Sequence, residues 1–169
     1  MLFLAKFLGS YLVFIFIYQI FLDNFKDAIF NVDSFTAMVS NQTKTILDFW
    51  GFRVDLVQHQ TEPAVRILVN NKPIVRIVEG CNAMSVMILF VAFIVAFSGK
   101  FLRTSLYIVF GILLIHVLNI LRISLLIVGM LRFREYETIM HDIIFPLFIY
   151  GVVFGLWVLW VNKFSKYAK

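Results

Sequence analysis

The sequence predicts an all-α polytopic membrane protein. Four transmembrane helices should carry a small extracytoplasmic segment, built from one amphipathic helix and a β-hairpin or small antiparallel sheet. Three observations predict this. Apolar residues make up 62% of the chain and mean hydropathy is +0.92, whereas a soluble domain is roughly 45–50% apolar. The apolar residues gather into four runs, at about 3–22, 83–98, 105–129 and 143–161, and runs of this kind read as membrane spans. Between them lies a single long polar segment, 23–80, in which the periodicity changes. The length allows one compact membrane domain, 1–169, with 23–80 inserted ahead of the second span.

The first run is interrupted only by Lys6, Ser10 and Gln19. A base ahead of an apolar core also describes a signal peptide. This run is rich in Phe and Tyr, and Asp23-Asn24-Phe25-Lys26 follows it in place of a small-x-small cleavage site. Those features predict a retained helix.

In the polar segment, Asp33-Ser34 predicts a helix cap just before Phe35. Phe35, Met38, Val39, Ile46, Phe49 and Trp50 then recur at helical spacing. The helix should be amphipathic, lying on the membrane surface or packing on the bundle, and Gly51 should end it. The period then becomes two. Phe52, Val54 and Leu56 alternate with Arg53, Asp55 and Val57. Val65, Ile67 and Val69 alternate with Ala64, Arg66 and Leu68, and 74–78 reads Ile-Val-Arg-Ile-Val. Asn70-Asn71-Lys72-Pro73 is turn chemistry between the last two strands. The last strand should run into Cys81 and hold it at the membrane surface.

Ala83 to Phe97 forms a short second span ended by Ser98-Gly99-Lys100. Ser105 to Leu131 is an apolar run of 27 residues, more than one untilted span requires. A charged loop, 132–142, leads to the fourth span, with Pro146 in its first turn, where proline costs little. Orientation follows from charge. All ten acidic residues lie between Asp23 and Glu79 or between Glu135 and Asp142. The termini and the 98–104 loop carry only bases: Lys6, Lys100, Arg103, Lys163, Lys166 and Lys169. The positive-inside rule puts that side in the cytoplasm and the sheet, Cys81 and the 132–142 loop outside. The net charge of +5 does not indicate nucleic-acid binding, because no basic patch with interleaved exposed aromatics accompanies it.

Cys81 is the one cysteine. That excludes an intramolecular disulfide, a Cys-rich metal site and a redox pair with a resolving thiol. It stands at the entrance of the second span, where the partial positive charge of a helix N-terminus favours thiolate. Gly80 beside it leaves room for a substrate backbone. The plain alternative is a small hydrophobe at a helix start. Arg122 is a charge inside an apolar run, and such residues face a partner or a wet cavity unless they snorkel. Counting about 20 residues from Ser105 puts it near the outer end of the third span, level with Cys81. Asn119, three residues earlier, shares nearly the same face. His141 opens the fourth span beside Asp142, on the same outer side, where imidazole can serve as general acid or base. His116 lies deeper and about 120° around the helix from Arg122. No cofactor motif is present, and a Cys81–His116–His141 metal site matches no ligand spacing. A thiol, a guanidinium and an imidazole thus converge on one membrane face, the set that acyl transfer through a cysteine requires.

Three segments carry a family resemblance. They are Val78-Glu79-Gly80-Cys81-Asn82-Ala83-Met84-Ser85 entering a helix, Asn119-Ile120-Leu121-Arg122-Ile123 in a later helix, and His141 at the start of the last. In this order they resemble the exosortase/archaeosortase family, most closely its short, F-type exosortase branch, over about residues 30–161. The resemblance implies a membrane-embedded cysteine transpeptidase of the bacterial inner membrane, with its active site on the periplasmic side and no cofactor. Such an enzyme recognises a C-terminal sorting tail on a secreted protein: a short motif, a transmembrane helix and a basic cluster. It cuts near the motif and passes the new C-terminus to a lipid-linked acceptor. By that resemblance Cys81 is the nucleophile, Arg122 stabilises charge and His141 is the acid/base. Glu79, Gly80, Asn82 and Asn119 support the site or bind substrate. The third catalytic residue varies in the family between His and Arg, so Arg132 and Arg134 compete with His141. Longer members carry accessory helices that this chain lacks. The competing reading is a non-enzymatic scaffold or assembly subunit, whose β-rich segment binds a partner and whose Arg122 pairs with the partner's helix.

Overall fold

The computed structural model describes residues 2–26, 32–97 and 99–164. In chain order the elements are α1 (Leu2–Lys26), α2 (Ser34–Phe49), β1 (Val54–Gln58), β2 (Ala64–Val69), β3 (Lys72–Val78) and a 3-10 turn, Glu79–Cys81. Then come α3 (Met84–Ala96), α4 (Phe101–Arg132), a 3-10 turn (Arg134–Tyr136), α5 (Glu137–Ile139), a π-helical segment (Met140–Ile144) and α6 (Phe145–Lys163).

Among the described residues three helical stretches are long and apolar enough to cross a membrane: Phe3–Asp23, Phe101–Arg132 and Met140–Lys163. The helix expected to supply another span, α3, has 13 residues, about 20 Å of rise against a hydrocarbon core of about 30 Å. α4 is the opposite case, with 32 residues and about 48 Å of rise.

The chain divides into two compact units. The helical unit comprises residues up to Ile20, Ala83–Val117 and the chain from Leu147 onward. Its helices meet through aromatic rings. Phe93 stacks on Trp157 with centroids 4.3 Å apart, and Tyr107 packs on Trp160 at 4.8 Å. The Tyr107 hydroxyl donates to the Leu156 carbonyl at 2.8 Å. Gly111 receives the ring of Phe90 so closely that a Cβ there would collide with it.

The sheet unit comprises Phe21–Asn82 and Leu118–Pro146. Its three strands pair antiparallel in the order β1-β2-β3. Asn70 and Asn71 take φ of 52° and 62°, the geometry that a two-residue hairpin needs to match strand twist, and Val69 pairs with Lys72. Pro73 is accommodated because β3 is an edge strand and the register shifts beside its partner Leu68. The core joins Val39 and Leu47 of α2, Val54, Ile67, Val69 and Ile77 of the sheet, and Ile123 and Ile127 of α4. The last part of α4, which reads as lipid-spanning sequence, therefore also contributes to a protein core.

Two local expectations need correction. α2 begins as its cap predicts, with the Asp33 carboxylate accepting from the N–H groups of Phe35 and Thr36 at 3.0 and 2.9 Å, and Gly51 at φ 87° follows its end. The buried face differs from the expected apolar stripe. Thr36, Val39, Ser40, Thr43 and Leu47 are buried, while Met38, Trp50 and Phe49 are exposed, Phe49 at 87%. Ser40 and Thr43 donate to the carbonyls of Thr36 and Val39, each at 2.8 Å, so small satisfied hydroxyls can face the core where apolarity predicts Phe. The second correction concerns Pro146, which stands in the first turn of α6 as expected but not at a free helix start. Helical structure precedes it from Glu137. A proline clashes with the carbonyl four residues back, and here the chain widens: the Phe145 N–H reaches the Met140 carbonyl, a five-residue step.

Candidate functional site

β3 carries the chain out of the sheet and into the Glu79–Cys81 turn, closed by the Asn82 N–H donating to the Glu79 carbonyl at 3.2 Å. Ala83 follows at φ 63°, ψ 11°, and α3 starts only at Met84. The thiol therefore stands ahead of α3, as expected, but in a separate turn at the end of β3 and not continuous with the helix. A left-handed alanine is strained by about 1–3 kcal/mol and persists only where its surroundings hold it. Cys81 is partly buried and packs against the sheet–α2–α4 core.

The surroundings hold it by two hydrogen bonds. Asn119, fully buried in α4, donates from Nδ2 to the Cys81 carbonyl at 2.8 Å. Asn82, also buried, donates from Nδ2 to Thr36 Oγ1 in α2 at 3.0 Å. The other end of the Asn119 amide accepts from Arg122 Nη1 at 3.4 Å. The orientation of this amide is forced, since a carbonyl can only accept and a guanidinium can only donate. One buried asparagine thus joins the cysteine's backbone to the arginine one helical turn away. Arg122 is itself half-buried.

Glu79 opens the turn and is exposed. Gly80 needs no glycine-specific backbone, as its φ is not positive, and a Cβ built on it would meet nothing within 4 Å. The space on that side of Gly80 is open.

His141 stands apart from this network. It lies in the π-helical segment, half-exposed, and its hydrogen bond among the described residues is to Asp142, Nδ1 to Oδ1 at 2.7 Å. The neighbouring Met140 side chain packs over Gly129, where a Cβ would lie 3.0 Å from its sulfur. Gly129 is seven residues beyond Arg122, about 10 Å further along α4. Arg132, the last residue of α4, is exposed. Arg134 begins the next turn, and its side chain lies outside the described part. His116 belongs to the helical unit. Among the described residues no three His, Cys, Asp or Glu side chains come together as metal ligands.

Thr36 is the site residue that sequence reasoning missed. It sits on the polar side of any apolar-moment argument, and its signal was weak: hydroxyls at 36, 40 and 43, spaced as one helical face. Comparison with family models, with curated proteins and with solved structures gives no match.

Proposed function

We propose that this chain is a cysteine transpeptidase of the bacterial inner membrane, which cleaves the C-terminal sorting tail of secreted proteins and transfers them to an envelope acceptor. The topology proposed with it has four spans, α3 and its flanking residues supplying the one between α1 and α4. The termini then lie in the cytoplasm and the sheet unit outside, as the segregation of acids from bases favours.

The observation that carries the reading is the Asn119 bridge, Cys81 carbonyl to Nδ2 and Oδ1 to Arg122. It ties the nucleophile's turn to a fixed cation in a partly buried setting, where developing negative charge is stabilised most. In the proposed reaction the Cys81 thiol gives its proton to His141 and its sulfur attacks the scissile carbonyl carbon. The negative charge that forms on the carbonyl oxygen is stabilised by Arg122. The C–N bond then breaks, the tail leaves as an amine after taking a proton from His141, and a thioester remains on Cys81. A hydroxyl or amine of the acceptor attacks the thioester, releases the thiol and completes the transfer; water in its place gives hydrolysis. For His141 to act, the π-helical segment must bring its ring to the turn, and π-helical steps recur at functional sites.

The test follows secreted proteins that end in a motif, an apolar helix and a basic cluster, in the producing cell. Mass spectrometry of their C-terminal peptides reports whether the tail is removed. Cys81→Ala and Arg122→Ala should each abolish removal while the protein stays in the membrane. Wild-type removal in either variant would sink the assignment.

A further inference from the structure

We propose that Thr36 is a positioning residue for Cys81, acting through Asn82. Thr36 is fully buried at the start of α2. Its backbone is fixed by the Asp33 cap, which accepts its N–H at 2.9 Å. Its hydroxyl accepts from Asn82 Nδ2 at 3.0 Å, and Asn82 immediately follows the cysteine. Cys81 is gripped on its own carbonyl by Asn119 of α4. The turn is therefore clamped at two successive residues by two helices distant in sequence.

The clamp has something to resist. Ala83, next in the chain, is left-handed at φ 63°, and an L-residue held there relaxes to ordinary backbone angles unless its neighbours prevent it. The backbone of this segment is held by the Asn82 N–H on the Glu79 carbonyl and by the Met87 N–H on the Ala83 carbonyl. The Thr36–Asn82 bond adds a side-chain hold from α2 on the residue that follows the cysteine. Placement matters because a displacement of about 1 Å at a reacting atom can lower a rate by about 100-fold.

Two readouts separate placement from general stability. Cys81 is the one cysteine, so a nitroxide label attached to it in the otherwise unaltered protein reports the mobility of this turn by electron paramagnetic resonance. Thr36→Val keeps the shape and removes the hydroxyl; Thr36→Ser keeps the hydroxyl and removes the methyl. The label should become mobile in Thr36→Val and stay restricted in Thr36→Ser. In tail cleavage, which rests on the transpeptidase reading, Thr36→Val should lower kcat at least about tenfold with KM nearly unchanged, and Thr36→Ser should restore it. A Val variant that does not accumulate in the membrane is replaced by Thr36→Ala, judged against Thr36→Ser in the same way. A label as restricted in the hydroxyl-free variant as in the wild type overturns the proposal. So does a label freed equally by serine, which would assign the effect to packing, or a freed label with unchanged kcat. Should the wild type cleave no tail, the reading of the enzyme fails while the label spectra still decide the role of Thr36.

Discussion

The helical unit and the sheet unit are built on opposite rules. Among the described residues the buried Asp, Asn, Ser and Thr side chains all belong to the sheet unit: Asp33, Thr36, Ser40, Thr43, Asn82, Asn119 and Ser124. The helical unit buries rings and aliphatic side chains and leaves large apolar ones outside, such as Leu12 at 65% and Phe16 at 67% exposed. Surfaces of that kind suit acyl chains and are a liability in water. A polar group moved into such a setting without a partner costs a few kcal/mol. In the sheet unit each of the polar groups just described has a hydrogen bond at hand, so a thiol, an amide and a guanidinium can be held in fixed relation. The contrast teaches where fixed polar groups fit in a chain this apolar: in a small core that supplies their hydrogen-bond partners.

The largest effect that would break the contrast comes from Asn119. Asn119→Ala removes both bonds of the bridge and leaves buried polar atoms unsatisfied, a loss of about 1–3 kcal/mol in stability. Tail cleavage should fall nearly as far as in Cys81→Ala. The counterpart in the helical unit is Gly111→Ala, whose Cβ would collide with Phe90. Overpacking of this kind costs about 1–3 kcal/mol, yet it should leave the rate of Cys81 alkylation unchanged. Thermal unfolding in detergent and alkylation kinetics, read side by side, check the pair. Equal alkylation changes in both variants would mean that the two regions are not separable in this way.

The histidines give a smaller but pointed comparison. His141 belongs to the sheet unit and His116 to the helical unit. His141→Ala should impair cleavage much more than His116→Ala. The reverse order, read from the same C-terminal peptides, would move the acid/base role into α4.

Much of the sheet unit was legible because its signals are local. Asp33-Ser34, Gly51 and Asn70-Asn71 each dictate the backbone within a few residues, and the period-two strands lie between them. That Asn119 and Arg122 come close to Cys81 was also within reach, since counting along a helix converts sequence into position along its axis. What escaped depends on tertiary partners. Residues 118–132 read as membrane sequence and belong to a helix long and apolar enough to span, but Ile123 and Ile127 also pack into the sheet unit's core, which asks for the same side chains; the excess length of the run was the one hint. Thr36 and Ser40 face inward because their hydroxyls find acceptors or donors, which hydropathy does not register. The π-helical step before Pro146 follows from a clash that only a helix continuing upstream of the proline creates.

The smallest expected effect is the most diagnostic of substrate approach. Gly80 sits beside Cys81 with ordinary backbone angles and open space where a Cβ would go. Gly80→Ala should therefore leave thermal stability within about 0.5 kcal/mol of the wild type, as surface substitutions usually do. A methyl group there would nevertheless stand in the path of a peptide backbone drawn up to the thiol. If substrate crosses this point, KM for tail cleavage rises severalfold while the intrinsic alkylation of Cys81 by a small reagent is unchanged. An unchanged KM would mean that the substrate reaches the sulfur from the other side of the turn, past Asn82 and α2, and that the glycine has no part in admitting it.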